Sequence, residues 1–166
     1  MTETWTEDRM QVALTSFGCL FYYRRYVVVP NVSWGLPGVK GEIDLLCMSA
    51  SRVLHEVEIK VSRSDLRADA KKLHQHDHSC VAYSWFAVPE ELGDAAMELA
   101  PERFGVVSVR FREAGTIHGV AVSDRYFTKV LRRPKRARGA KVDEKVERQL
   151  LRLGVMKMWS RKGSAA

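Results

Sequence analysis

The chain has 166 residues, a formal net charge of +7 and an apolar fraction of 46%. That length and apolar content suit one domain with an appendage and a core of useful size. Cys19, Cys47 and Cys80 are isolated and odd in number, which excludes a disulfide framework or a zinc ribbon and fits a reducing cytoplasm. Met1–Met10 is polar and acidic rather than signal-like, no apolar run reaches membrane-spanning length, and the basic balance favours a polyanionic partner, most simply nucleic acid.

In chain order, Thr6 to Cys19 reads as a helix. Thr6 is placed to cap it, Glu7 and Asp8 stand in the first turn, and Met10, Leu14 and Phe17 recur at helical spacing. Phe21 to Val32 is aromatic and β-branched and reads as a strand, with Arg24 and Arg25 at its start or on an edge. Ser33 to Lys40 contains Gly35, Pro37 and Gly38 and reads as a loop. Its Trp34 suits either stacking against a base or covering the edge of a core.

Gly41 to Leu46 and Leu54 to Val61 alternate as two strands. In the first, Ile43, Leu45 and Cys47 share one face, and Glu42, Asp44 and Leu46 the other. In the second, Val53, His55, Val57, Ile59 and Val61 oppose Leu54, Glu56, Glu58, Lys60 and Ser62. Burying the apolar faces is expected to leave Asp44, Glu58 and Lys60 on one exposed side. If Ala50, Ser51 and Arg52 form a three-residue loop, Ser49 pairs with Val53 and Asp44 falls opposite Glu58. Opposed Cβ atoms lie about 4.5–5.5 Å apart. Two carboxylates that close call for a cation, and oxygen donors suit Mg²⁺ or Mn²⁺.

Ser62 opens a helix running to about His78, with Asp65 three positions on. Its apolar stripe is thin, and Arg63, Arg67, Lys71, Lys72 and His74 make it basic. His74 and His78 share a helical face, but Gln75 stands where a zinc-protease motif needs Glu, and four ligands for structural zinc are lacking. Tyr83 to Val88 reads as a buried strand, Glu90 to Ala100 as a helix, and Phe104 to Phe111 and Thr116 to Ser123 as a strand pair joined at Glu113-Ala114-Gly115. Residues 126–141 read as a mobile basic linker rich in Arg132, Arg133, Lys135, Arg136, Arg138 and Lys141. Val142 to about Ser160 returns to an amphipathic helix whose Val142, Val146, Leu150 and Leu153 stripe docks on the domain or on a second subunit in a homodimer. Residues 1–125 are thus the expected main domain, an α/β sandwich.

Asp44 followed by Glu58-Ile59-Lys60 on adjacent strands resembles the PD-(D/E)xK nuclease superfamily. Val61 to Asp69 and Tyr83 to Pro89 look like its MmcB-like branch of DNA-repair proteins. The resemblance covers about Gly41 to Arg110, and Ile43 stands where the superfamily's name has Pro. It implies a restriction-endonuclease-like αβββαβ core with, in this chain, a basic C-terminal extension. Implied too are Mg²⁺ or Mn²⁺ on Asp44, Glu58 and the Ile59 carbonyl, with Glu7 as a further candidate ligand, and Lys60 positioning the attacking water or stabilising charge. Lys71 and Lys72, on the helix after Glu-x-Lys, become candidates for phosphate contact.

The function expected is metal-dependent hydrolysis of DNA in repair or processing. Two rivals stand beside it. One is a DNA-binding accessory module with the nuclease fold and little or no catalysis. The other is an adaptor that uses the segment from Arg132 to Lys141 alone.

Overall fold

The computed structural model describes residues 4–70, 78–117, 120–123 and 125–164. Chain order runs α1 (Glu7–Thr15), β1 (Tyr26–Val32), β2 (Ile43–Ser49), β3 (Leu54–Ile59), α2 (Arg63–Ala70) and β4 (Tyr83–Pro89). A 3₁₀ turn at Glu90–Leu92 leads into α3 (Gly93–Leu99). Then come β5 (Gly105–Arg112), β6 (Gly115–Ile117), β7 (Val120–Val122), β8 (Arg125–Arg132) and α4 (Glu144–Ser164).

Six strands form one mixed sheet in the order β1-β2-β3-β4-β5-β8. The β3–β4 and β4–β5 pairs are parallel, each crossed over by a helix, and the remaining pairs are antiparallel. β6 and β7 make a separate two-stranded ribbon. The strand that pairs with β5 is therefore β8, and Thr116 to Ser123 does not join the main sheet. The main sheet reaches Arg132, so the expected boundary near residue 125 falls inside a structural unit.

Capping sets the helix starts. The Thr6 hydroxyl accepts the N–H of Arg9, and the Ser62 hydroxyl that of Asp65. On one face of the sheet, Met10, Ala13 and Leu14 of α1 pack with Phe21, Leu45, Cys47, Val57, Ile59, Trp85, Val107 and Val109. Phe17 lies outside this face, 68% exposed, because α1 ends at Thr15. The opposite face carries two apolar clusters. Leu150 and Leu153 of α4, with Val142, cover β1 and β2 through Val29, Val32, Leu46 and Met48. Leu66 of α2 and Ala95 and Ala96 of α3 cover β4 and β5 through Phe86, Val88 and Val106. The C-terminal helix thus docks on its own domain. It is anchored from the β2–β3 loop, where Arg52 pairs with Glu147 at 3.0 Å and the Arg52 carbonyl accepts the Val142 N–H at 2.9 Å.

Ile43 departs from the expected alternation. It packs with Leu46 and Met48 rather than with Leu45 and Cys47. Its partner in β1 is Val32, on the far side of Asn31, which adopts a left-handed φ of 50°. A kink of that kind resets which way the following residue points, and Val32 and Ile43 turn to the α4 side together.

The basic linker is corrected as well. β8 already includes Arg132, and the chain beyond it is laced to the domain by its backbone. Lys135 N–H donates to the Arg103 carbonyl at 2.8 Å, Ala137 N–H to Ala82 at 2.8 Å and Gly139 N–H to Val81 at 3.2 Å. At Gly139 a Cβ would lie 2.2 Å from the Val81 carbonyl carbon, so only glycine fits this approach. Among the described residues no helix is long and apolar enough to cross a membrane.

Candidate functional site

The β2–β3 hairpin sets the site. Leu45 pairs with Val57, Leu46 with Glu56, Cys47 with His55 and Met48 with Leu54. The Ser49 N–H donates to the Val53 carbonyl at 3.0 Å, which closes a three-residue loop whose last residue, Arg52, is left-handed at φ 60°. Continued one position beyond Leu45 and Val57, this register puts Asp44 opposite Glu58. There the ladder stops, and a side chain takes over. Asp44 Oδ2 accepts the Ile59 N–H at 2.7 Å.

The polar face of β3 is buried rather than exposed, which overturns the expected solvated side. Glu56 is 0% exposed, Glu58 4% and Lys60 7%. This row runs between the two apolar clusters on the α2, α3 and α4 side. A polar row so placed needs internal partners. Lys60 Nζ lies 3.2 Å from Glu58 Oε2 and 5.8 Å from the centre of the Phe86 ring. Glu56 accepts the Ser84 hydroxyl at 2.9 Å, and His78 Nε2 stands 3.5 Å from its other oxygen. His78 Nδ1 in turn accepts the Lys40 N–H at 2.9 Å. His78 is therefore hydrogen-bonded at Nδ1, while its buried Nε2 faces Glu56 without a hydrogen bond.

Glu7 does reach the site, through two residues that the sequence reading passed over. Asn31 Nδ2 donates to Glu7 at 2.8 Å, and Gln11 Nε2 donates to Glu7 at 3.2 Å and to the Asp44 carbonyl at 2.9 Å. Neither residue type signals this. Asn31 is placed by its left-handed turn across from Asp44, and Gln11 by the docking of α1. Burial pushes the Asp44 carboxyl up to about 6, with the Glu7 and Glu42 charges adding to the rise; the Ile59 N–H and Lys60 oppose it.

Among the described residues no three His, Cys, Asp or Glu side chains form a group able to hold a metal ion. Lys71, Lys72, His74 and His76 lie outside the described residues. Of the other basic candidates, Arg132 serves the fold: its guanidinium donates to the carbonyls of Phe104 at 2.8 Å, Pro101 at 2.9 Å and Ala100 at 3.1 Å. Lys135 pairs with Glu102, and Arg136 donates to the Tyr83 hydroxyl and the Gly139 carbonyl. Arg133 and Arg138 are exposed.

No family model matches the chain, and no curated protein matches it. A solved structure of a protein of unknown function from Silicibacter pomeroyi is similar in fold. It is 18% identical in sequence with a TM-score of 0.57, over 94% of this chain and 86% of that one. At that identity the likeness is one of fold, an α/β sheet with flanking helices.

Proposed function

We propose that the protein is a divalent-metal-dependent DNA nuclease with a restriction-endonuclease-like αβββαβ core, acting in DNA repair or processing. One observation carries the reading: Asp44 accepts the Ile59 N–H just past the last ladder pair, Leu45 with Val57, beside the Glu58–Lys60 pair. The donor set fits Mg²⁺ or Mn²⁺ in kind. Asp44, Glu58 and the Ile59 carbonyl offer only hard oxygens, and Glu7 is a third carboxylate, near enough for its charge to act on Asp44. Burial is the main cause of the raised Asp44 carboxyl, and the neighbouring Glu7 and Glu42 charges add to it.

When bound, the metal supplies an acidified water and neutralises charge growing on the phosphate. The chain's own residues do the rest. Asp44 is oriented by the Ile59 N–H. Lys60, held at Glu58, would steady the charge that develops on the phosphate. Burial by the surrounding apolar clusters strengthens both interactions. Arg133, Lys135, Arg136 and Arg138, with Lys71 and Lys72, are proposed to meet the DNA backbone as cations without base preference.

A second reading, a DNA-binding accessory module without catalysis, is favoured by the depth of the Glu58–Lys60 pair, whose side chains are 6% and 9% exposed. The deciding experiment incubates the purified protein with supercoiled, linear, single-stranded and branched DNA, in Mg²⁺ or Mn²⁺ and with chelator. Nicking that chelator abolishes supports the nuclease; DNA binding without nicking in any metal supports the accessory module.

A further inference from the structure

We propose that a second site, apart from Asp44, Glu58 and Lys60, binds the dianionic terminal phosphate of a nucleotide in a cationic pocket between the 135–139 segment and the start of β4. The pocket has a volume of about 430 Å³, and five cationic side chains line it: Lys40, Arg103, Lys135, Arg136 and Arg138. Three chain segments far apart in sequence bring them together, so composition did not foretell the cluster.

The walls are built rather than incidental. The alternate N–H groups of Lys135, Ala137 and Gly139 are all bonded to carbonyls of the domain, which holds the Arg136 and Arg138 backbone in place. On the facing wall, His78 Nδ1 fixes the Lys40 N–H at 2.9 Å. Ser84 and His78 close the floor by turning to Glu56, which is fully buried beneath them. Among the described residues, Lys40, Arg136 and Arg138 have no carboxylate partner, while Lys135 pairs with Glu102. Three such cations, Lys40, Arg136 and Arg138, brought together in a concave site favour a multiply charged anion.

Volume and charge narrow the ligand. A phosphate group of five heavy atoms fills only part of 430 Å³, a size in the range of about 300–1,000 Å³ typical of small-molecule sites. The ligand therefore extends beyond its phosphate. A terminal phosphomonoester carries two charges where a backbone diester carries one, and draws more from Lys40, Arg136 and Arg138. Strand ends and free mononucleotides share this chemistry. The pocket lies at the Glu56 end of β3, and Lys60 stands four residues further along, about 13 Å at 3.3 Å per residue. The proposal holds whether or not the Asp44 cluster cleaves DNA.

The test measures binding of the full chain in chelator, so cleavage plays no part. The ligands are a short single strand with a terminal phosphate, the same strand with hydroxyl ends, and a nucleoside monophosphate as competitor. The variants are Lys40→Glu and Arg138→Glu, two exposed side chains on separate segments, so the second serves if the first misfolds. The wild type should prefer the phosphorylated strand about tenfold, the scale of one added charge-assisted contact, and either reversal should bring the two strands to parity. Competition by the mononucleotide without a strand-end preference, lost in the variants, supports the pocket with free nucleotide as its source. Neither preference nor competition in the wild type overturns the proposal, as does a preference that both variants keep.

Discussion

Asp44 Oδ2 accepts the backbone N–H of Ile59 at 2.7 Å, so a side chain of β2 stands where the β2–β3 ladder would have continued. This contact ties the orientation of the candidate acid to the backbone of the Glu58-Ile59-Lys60 segment. A side chain that can still accept from Ile59 should keep the local geometry, and one that cannot should lose it. Asp44→Asn is thus the conservative probe and Asp44→Ala the disruptive one.

Asp44→Ala and Glu58→Ala should each abolish metal-dependent cleavage while leaving DNA affinity unchanged or tighter. Each removes an oxygen donor and a repulsion toward phosphate. Cleavage of supercoiled DNA, measured beside equilibrium binding, checks this. Wild-type cleavage by either variant would refute the catalytic assignment.

Lys60→Ala should act on both chemistry and stability. Cleavage should slow on the order of 10²–10³-fold, as when one charge-stabilising group is lost. The Glu58 carboxylate would also be left buried without its 3.2 Å partner, at a cost of about 3–5 kcal/mol. Denaturant unfolding and single-turnover cleavage at saturating metal separate the two effects. Unchanged stability would mean that Glu58 is not held by Lys60 in solution.

Two half-buried groups give opposite pH slopes to the metal-free protein. Asp44 sits at about 6 instead of 3.8, so the folded state holds its proton longer and stability falls as pH rises through that window. His55 is lowered by burial to about 4 from 6.5, and its Nδ1 accepts the Trp85 indole N–H at 3.3 Å. The folded state excludes that proton, so stability falls as pH drops from 6.5 toward 4. Each contribution is at most about 3 kcal/mol, and over pH 4–6 they oppose each other. Asp44→Asn should expose the histidine slope, with stability climbing toward neutral pH, and His55→Phe the reverse slope. Urea midpoints at several pH values in chelator test this, and parallel profiles for both variants and wild type would contradict it.

Arg132 and Arg138 should part company in salt titrations. Arg132→Ala breaks three bonds to the carbonyls of Ala100, Pro101 and Phe104. It should destabilise by about 1.5–3 kcal/mol, the range for hydrogen bonds to charged groups, with no change in the salt slope of DNA binding. Arg138→Ala should leave stability alone and lower the slope by about 0.9 for duplex DNA if it meets one phosphate. Equal slopes for the two variants would show that the 132–141 segment does not meet DNA as proposed.

Gly139→Ala should loosen the whole 135–139 segment, because its Cβ would fall within 2.4 Å of the Val81–Ala82 peptide. The expected loss is about 1–3 kcal/mol, as for other overpacked positions. A thermal melt checks it, and a neutral result would mean that this strand-like lacing opens at little cost.

The strength of the sequence lay in local relations. Alternation in Leu45–Ser49 and Leu54–Ile59, with three residues between Ser49 and Val53, set the register that pairs Leu45 with Val57. That followed because a slip of one residue would have put every side chain on the wrong face. Thr6 and Ser62 announced their helices by the hydroxyls that cap them. What only the tertiary structure decided were relations between distant segments. A period of two separates the faces of a strand but does not say what covers each one. The Glu56, Glu58 and Lys60 face therefore read as solvated until α2, α3 and α4 closed over the sheet. The basic stretch read as mobile because its bonds to Val81, Ala82 and Arg103 run backbone to backbone, and such bonds leave no mark in side-chain composition. Arg132 looked like its neighbours for the same reason. Whether a guanidinium meets a phosphate or three carbonyls depends on where the rest of the chain has placed those carbonyls.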